Sequence, residues 1–412
     1  MKEHASLLII NASEIVTPEG NVPKKGESLK ELKVIKNGGI AIKDGKIIDV
    51  GENERIRDLY IGEKEIDLSY ESIVLPSFVE AHTHLVFGGT REEEFLMRLS
   101  GASYLEIQRM GGGIYSTVRE TKSLEDGRLI ERALSFIEKG ETYGISTFEI
   151  KSGYGLYIED EIRILKIIKE VKKRNKDIIS TFLLHLPPEG IDRSAYFKKA
   201  IENLKFIKDK ELSLFVDIFV EKGAFSKEEA YTFLSEAKKL GFKTSMHVDQ
   251  FNNIGGIDVA IELNLNSVSH LDKTDTESLK ELAKKDIVGI IFPTERMFLL
   301  KEGKLGRRVA DSGIPLAIST DFNPGTSPTI NFYLVLSLSV IREGLSIEEA
   351  INASTINPAF ALSIHEDKGS IEKGKSANLQ ILSLKTYKLI PYFFGMNYLK
   401  YLIKNGEVKH AF

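Results

Sequence analysis

Eight short apolar segments, separated by stretches with the spacing of amphipathic helices, run through the middle of the chain. They span residues 74–81, 146–150, 178–184, 215–220, 242–246, 267–270, 288–292 and 315–319. Several are continuously apolar, which is typical of parallel strands buried on both faces. Strands alternating with helices form either a closed (β/α)8 barrel or an open doubly wound sheet. A count of eight favours an α/β fold of the TIM-barrel type.

Both chain ends have a different sequence pattern, which is typical of short strands and tight turns. Asp44-Gly45 lies between two apolar runs within residues 36–51, and Asn405-Gly406 does the same within residues 401–409. Such dipeptides favour two-residue hairpins. We therefore expect residues 1–75 and 364–412 to form one small composite β-sandwich domain, and residues 76–363 to form the barrel. Capping boxes at Ser226 and Ser346 predict helix starts inside the barrel.

Composition excludes several classes of protein. The chain has 56 basic and 60 acidic residues, a balance that argues against nucleic-acid binding. It contains no cysteine, which excludes disulfides, thiolate zinc sites and iron–sulfur clusters. Neither a cleavable leader nor an apolar run of membrane-spanning length is evident. We expect a soluble, cytoplasmic protein with no membrane partner.

Polar side chains follow the predicted strands where those strands end, which is where barrel enzymes place their chemistry. These residues are His82, His84, Lys151, Tyr154, His185, Glu221, His247, Gln250, His270, Asp321 and Asn323. Five of the eight histidines in the chain are among them. Such a concentration indicates a functional site rather than scattered surface histidines.

Four of these residues predict a metal site. His82 and His84 are two positions apart on a strand, so that both imidazoles project from the same face. His247 and Asp321 end two further strands. Three histidine nitrogens and one carboxylate oxygen suit one zinc or iron ion, which can activate water at neutral pH. A second metal ion is the alternative to a single one, bridged either by a carbamylated Lys151 or by Glu221. For Lys151, ordinary ion pairing is favoured over carbamylation. For Glu221, the sequence leaves the question open.

Other candidates have competing interpretations. His270 is a proton shuttle or a group that polarises the scissile carbonyl; the alternative is a histidine that supports the ligands or packs in the core. Arg91 offers a planar fork for a carboxylate, but spacing alone favours a surface ion pair with the adjacent Glu92–Glu94 run. The segment 369–376 matches the P-loop pattern letter for letter, yet a strand rather than a helix follows it, so nucleotide binding is not expected.

The combination resembles the amidohydrolase superfamily, and within it most closely the imidazolonepropionase family. The resemblance rests on residues 76–118, EIKSGYGL at 149–156, HVDQFNNIGG at 247–256, SHLD at 269–272 and STDFNPGTSP at 319–328. GSIEKGKSANLQIL near the C-terminus is similar to a recurring hairpin of the superfamily, although Asn378 stands where Asp is usual.

The resemblance implies a hydrolase that opens the lactam C–N bond of 4-imidazolone-5-propanoate in histidine degradation, and a homodimer. It implies one Zn²⁺ or iron ion, Fe²⁺ or Fe³⁺, per subunit, bound by His82, His84, His247 and Asp321. Asp321 and His270 would be catalytic. Arg91 would hold the propionate of this small anionic substrate, and further substrate contacts would come from Tyr154, His185, Gln250, Asn323, Gly325 and Thr326.

Some positions depart from the family pattern. The run LLHLPPEG around His185 is unusual, and Thr326 stands where Ser is expected. Some relatives carry Glu in place of Gln250, and since an amide is no general base, proton transfer would fall to Asp321 or His270. The alternative functions are another cyclic amidase or ring deaminase of the superfamily, and a non-enzymatic barrel, which would be expected to have lost its ligands.

Overall fold

The computed structural model describes residues 2–101, 106 and 110–412 of the chain. These residues form two eight-stranded sheets, one built from both chain ends and the other from the middle. Part of the family-like stretch 76–118, namely residues 102–105 and 107–109, lies outside the described residues.

The terminal sheet combines strands from both ends of the chain, as the hairpin signals predict. Its strands are β1 (Glu3–Thr17), β2 (Lys33–Lys43), β3 (Lys46–Glu52), β4 (Tyr60–Asp67), β5 (Ile73–Pro76), β14 (Leu379–Leu382), β15 (Leu399–Lys404) and β16 (Glu407–Ala411). Their spatial order is β16-β15-β14-β5-β1-β2-β3, with β4 pairing along β1. The long β1 and the short β5 thus join the N-terminal strands to the C-terminal ones.

The second sheet is parallel, and its strands lie side by side in chain order. They are β6 (Phe78–Glu80), β7 (Ile145–Lys151), β8 (Ile178–Leu184), β9 (Phe215–Val220), β10 (Lys243–Val248), β11 (Ser267–His270), β12 (Val288–Ile291) and β13 (Leu316–Ile318). All of their residues except Lys243 are buried. Burial on both faces explains why these segments read as apolar runs.

One predicted strand is wrong in its extent. The segment 74–81 was expected to be continuous, but it divides at Ser77 into β5 and β6, which belong to different sheets. β5 pairs with β1 and β14, whereas β6 pairs with β7. The Ser77 amide donates to Asn378 O, and its hydroxyl lies 2.5 Å from Ser146 Oγ. The chain therefore changes sheets within one residue.

Helices flank the parallel strands and also lie around the terminal sheet. They are α1 (Asn53–Leu59), α2 (Glu92–Leu99), α3 (Ile114–Ser123), α4 (Asp126–Glu141), α5 (Ile158–Arg174), α6 (Arg193–Asp209), α7 (Lys227–Lys239), α8 (Gly256–Leu263), α9 (Thr276–Ala283), α10 (Pro293–Phe298), α11 (Leu305–Asp311), α12 (Phe332–Ile341), α13 (Ile347–Ser354), α14 (Ile356–Ala361) and α15 (Leu389–Tyr392), with a 3₁₀ turn at Gly26–Lys30. Both predicted capping boxes are confirmed, at the starts of α7 and α13. In the described part of the chain, no helix combines the length and apolar character that a membrane crossing requires.

The parallel sheet curls so that its first and last strands approach each other. Just beyond these strands, Thr83 and Phe322 form a parallel bridge, and the His84 amide donates to Phe322 O at 3.0 Å. The Ala81 amide donates to Ser319 Oγ at 3.0 Å. These contacts bring the carboxyl ends of the outermost strands to the same place.

The two predicted hairpin turns are confirmed and pack against each other. Asp44 and Gly45 have φ of 50° and 79°, and Asn405 and Gly406 have 49° and 80°. Positive φ at both central residues is the requirement of a type I′ turn. A Cβ added to Gly406 would lie 2.7 Å from Gly45 Cα, so glycine is needed both for conformation and for close approach.

We expect Gly406→Ala to destabilise the fold by about 2 kcal/mol, because it combines left-handed strain with a backbone clash. The matched control is Gly374→Ala, where φ is 92° but no atom lies within 4 Å of the added carbon. That variant should lose only the conformational part, about 1 kcal/mol. Thermal unfolding followed by circular dichroism measures both, and equal losses would contradict the packing argument.

Candidate metal centre and active site

The carboxyl ends of the parallel strands bring the four predicted metal ligands together. His82, His84 and His247 each offer a ring nitrogen within 4.8 Å of the other two. Asp321 Oδ1 lies 3.6 Å from His82 Nε2 and 3.5 Å from His84 Nε2. All four side chains are buried. Residues that are up to 239 positions apart in the chain therefore face one point.

The chemistry of these groups fits a metal cation. Burial lowers the pKa of His82 and His84 well below the usual value, so their rings are neutral with free lone pairs. His82 Nε2 and His247 Nε2 are buried with no hydrogen-bond partner among the described residues. Burial raises the pKa of Asp321 to about 7. Such unpaired buried groups are costly unless a cation satisfies them.

The opposite ring nitrogens are held by residues that the sequence reasoning missed. His247 Nδ1 lies 2.8 Å from Asp217 Oδ1, and His82 Nδ1 lies 3.1 Å from Ser269 Oγ. Such partners orient an imidazole and fix which nitrogen is free for a metal. A signal for Asp217 was available, since it is the one charged residue in the apolar strand FVDIFV.

Lys151 is engaged in ion pairing, as the favoured interpretation holds. Its Nζ lies 2.8 Å from Glu149 Oε1 and 3.0 Å from Asp217 Oδ2. Burial alone would lower the pKa of Lys151, but Asp217 and Glu149 raise it above the usual value. The resulting ammonium is not a nucleophile for carbamylation. Glu221 instead accepts hydrogen bonds from the Phe251 amide and the Asn252 amide and side chain, which anchors the loop after β10.

Two site residues adopt backbone conformations that are unusual for side chains with a Cβ. His270 has φ of 80° and Asp321 has φ of 50°. His270 is the last residue of β11 and Asp321 lies three residues beyond the end of β13, so each left-handed conformation stands at or just past the end of a buried strand. Strain of this kind persists only where the surroundings enforce it, and it concentrates at functional sites.

His270 lies beside the predicted ligands. Its ring centroid is 5.5 Å from that of His247 and 4.8 Å from that of Phe292. Burial lowers the pKa of His270 well below the usual value, so that the ring is neutral at physiological pH. A neutral imidazole can donate one hydrogen bond and accept another, which suits either role expected for this residue.

Arg91 contacts both Thr117 and the acidic run that follows it. Its Nε donates to Thr117 Oγ1 at 2.8 Å, and its Nη1 lies 4.0 Å from Glu94 Oε2, the outer limit of an ion pair. A Cβ added to Gly325 would lie 2.5 Å from Arg91 Nη1. The absent side chain of Gly325 therefore makes room for the guanidinium.

Tyr154 and His185 form an aromatic wall next to the histidine cluster. Each ring centroid lies 5.7 Å from that of His84. His185 Nδ1 is 3.2 Å from Gly153 O. Burial raises the pKa of Tyr154, so the residue remains a neutral phenol that can donate a hydrogen bond.

Asn323 and Thr326 organise their own loop. Asn323 Oδ1 accepts the amides of Gly325 and Thr326 at 2.8 Å each, and its Nδ2 donates to Asp321 O at 2.7 Å. The Thr326 hydroxyl lies 2.9 Å from Asn323 Nδ2. This network fixes the backbone that follows Asp321 and places Gly325 against Arg91.

A cavity of about 730 Å³ opens beside Arg91 and Asn323. Six of its 17 lining residues are aromatic, namely Phe87, Phe95, Phe136, Tyr143, Phe298 and Phe322. The histidine cluster does not line it. It therefore adjoins the site on the Arg91 side.

Residues 73–409 match the model of the amidohydrolase family. The imidazolonepropionase of Caldanaerobacter subterraneus subsp. tengcongensis is 38% identical, with 97% of each chain covered. That of Phocaeicola vulgatus is 40% identical over 98% of this chain and 99% of its own.

Solved structures support the fold. An adenosine deaminase from Xanthomonas campestris with bound zinc superposes with a TM-score of 0.77 at 15% identity, covering 100% of this chain and 94% of that one. The guanine deaminase of E. coli gives 0.73 at 14% identity, with 98% of both chains covered. At such identities the likeness concerns the fold alone. From the family match and the near full-length relatives, the chain belongs to the amidohydrolase family and, within it, to the imidazolonepropionases.

Proposed function

We propose that this chain hydrolyses the lactam C–N bond of 4-imidazolone-5-propanoate and releases N-formimidoyl-L-glutamate. The observation that carries the proposal is Arg91, anchored by Thr117 and, among the described residues, with no carboxylate nearer than that of Glu94 at 4.0 Å, in a chain whose relatives are imidazolonepropionases. A small anionic substrate needs a fixed cation beside the reacting centre. Arg91 would bind the propionate while the histidine cluster faces the ring.

His82, His84, His247 and Asp321 would hold one zinc or iron ion per subunit. Their orphaned ring nitrogens and mixed nitrogen and oxygen donors support this assignment. When bound, such an ion polarises water and the substrate carbonyl. Asp217 and Ser269 would keep the rings of His247 and His82 oriented.

The protein side chains would then move the protons. Asp321 accepts a proton from the attacking water as the new C–O bond forms at the ring carbonyl. It delivers that proton to the ring nitrogen as the C–N bond breaks, so that the ring opens to a carboxylate and a formimidoyl group. His270 would donate a hydrogen bond to the tetrahedral oxyanion, and its neutral ring supports this role.

The remaining substrate contacts would come from two walls. Tyr154 and His185 would pack along the imidazolone ring, supported by their position next to His84. Gln250 would hydrogen-bond the ring. Asn323, Gly325 and Thr326 would act through the shape of their loop, since their polar groups bond one another.

We extend the proposal to the architecture. Residues 76–363 would form a closed (β/α)8 catalytic barrel, supported by the bridge between Thr83 and Phe322. Residues 1–75 and 364–412 would form the small composite β-sandwich domain, supported by their shared sheet. The homodimer and the cytoplasmic location stay predictions from the family resemblance.

The direct test follows the ultraviolet absorbance of enzymatically generated imidazolonepropionate with purified protein. We expect its decay to accelerate well beyond the spontaneous rate, to stop after chelation and to recover with zinc or iron, since the site requires a cation. Failure of the metal-loaded protein to accelerate decay would refute the substrate. Turnover of a ring amine instead, unaffected by Arg91→Ala, would favour a deaminase.

Gly325→Ala tests the role of Arg91. The added methyl group meets the mobile end of the Arg91 side chain, so it should displace the guanidinium without unfolding the loop. We expect KM to rise by roughly tenfold with little change in kcat, because the propionate contact is shared by ground state and transition state. In the double variant with Arg91→Ala, the methyl group should cause no further rise; additive effects would show that it acts elsewhere.

Asp217→Asn tests the orientation of His247. We expect metal affinity to fall by about 10- to 100-fold, the usual effect of removing such a partner, as measured by competition with a chromogenic chelator. Glu141→Gln is the matched control, because it removes a buried carboxylate that pairs with Lys404 and His410 instead. Equal losses in both variants would indicate general destabilisation.

A further inference from the structure

A second cluster of acidic and histidine side chains lies behind the predicted ligands. His270, Asp272 and Glu295 offer ligand atoms within 4.8 Å of one another. Glu295 lies in the first turn of α10, which follows β12, and is completely buried. Its Oε2 has no hydrogen-bond partner among the described residues. The sequence reasoning assigned Glu295 no role.

Positive side chains already occupy this cluster. Lys301 Nζ lies 2.8 Å from Glu295 Oε1 and 3.0 Å from Asp272 Oδ2. Arg296 pairs with Asp272 and lies 3.0 Å from Glu343 Oε1. A metal ion would have to displace the lysine from both carboxylates, so the cluster is an internal ion network rather than a second metal site.

One predicted substrate contact, Gln250, hydrogen-bonds to this network. Gln250 Nε2 donates to Glu295 Oε1 at 3.0 Å, and Gln250 itself is 8% exposed. A side-chain amide donates at one end and accepts at the other. Because Glu295 Oε1 already accepts from Lys301, it requires the donor end of Gln250. The amide oxygen is thus presented elsewhere, and no described protein group donates to it.

We propose that Glu295 is a positioning residue that fixes the Gln250 amide so that its oxygen accepts an N–H of the substrate ring. This inference rests on the proposed function, which supplies an imidazolone ring with an N–H donor. A carboxylate at position 250 would place a second acceptor against Glu295 Oε1, where this chain has the amide donor. Positions 250 and 295 therefore work as a complementary pair, one amide and one carboxylate.

The test compares steady-state kinetics on imidazolonepropionate for Glu295→Gln, Gln250→Glu and the swap that combines them. We expect Glu295→Gln to raise KM by roughly three- to tenfold, the range of one hydrogen bond, with a smaller change in kcat. Gln250→Glu should lower kcat/KM by more than Glu295→Gln does. The swap restores donor and acceptor with their places exchanged, so it should recover at least about tenfold in kcat/KM over Gln250→Glu.

Two further variants separate positioning from stability. Glu295→Asp keeps the charge beside Lys301 but withdraws the oxygen from Gln250, so it should raise KM even if Glu295→Gln fails to fold. Glu343→Gln removes an equally buried carboxylate that binds Arg296 and the Gly306 amide; it should lower thermal stability and leave KM unchanged.

The outcomes distinguish failure of the proposed function from failure of the role of Glu295. Wild-type protein that does not consume imidazolonepropionate overturns the proposed function and this inference with it. If the wild type is active but the kcat/KM of the swap variant is no higher than the product of the two single effects, the role of Glu295 is overturned and the proposed function stands. The same holds if Glu343→Gln raises KM as much as Glu295→Asp.

Discussion

Asp217 connects three strands of the parallel sheet through one buried carboxylate. It accepts hydrogen bonds from Ser245 at 2.7 Å and from the His247 amide at 3.1 Å, lies 2.8 Å from His247 Nδ1, and pairs with Lys151. Burial alone would raise the pKa of Asp217, but His247 and Lys151 hold it below the usual value. A charge retained at this depth orients the imidazole that faces Asp321. Loss of that charge would free His247 to turn.

The buried ionisable groups around Asp217 are of two kinds, some charged and some neutral. Burial keeps the imidazoles of His82, His84 and His270 neutral, while Lys151 keeps its charge because two carboxylates enclose it. The same distinction separates the histidine cluster from the network of Glu295 behind it, where Lys301 supplies the positive charge. Neutral nitrogens can bind a cation, whereas a lysine between carboxylates leaves no room for one.

The terminal sheet joins the parallel sheet close to the site. At Ser77 the chain leaves β5 and enters β6, three residues before Glu80 and five before His82. Glu80 is fully buried and accepts the amides of His82 and Thr320 at 3.1 Å each. This carboxylate therefore connects the segment after β6, which carries His82, to the segment after β13, which carries Asp321.

Much of this molecule follows from local sequence. The eight apolar segments, the Asp44-Gly45 and Asn405-Gly406 turns, and the polar residues that end the strands are encoded by periodicity and backbone preference within a few residues. The sequence alone thus determined the strand positions and which side chains would lie at one edge.

Tertiary structure decided which side chains meet there. Asp217 and His247 are 30 positions apart, and Gln250 and Glu295 are 45 apart, so no local pattern couples them. The break of the first predicted strand at Ser77 likewise depends on which partner each half finds. Local sequence sets dihedral angles and buried faces, whereas contacts between distant residues exist only once the strands are paired in register and their ends converge.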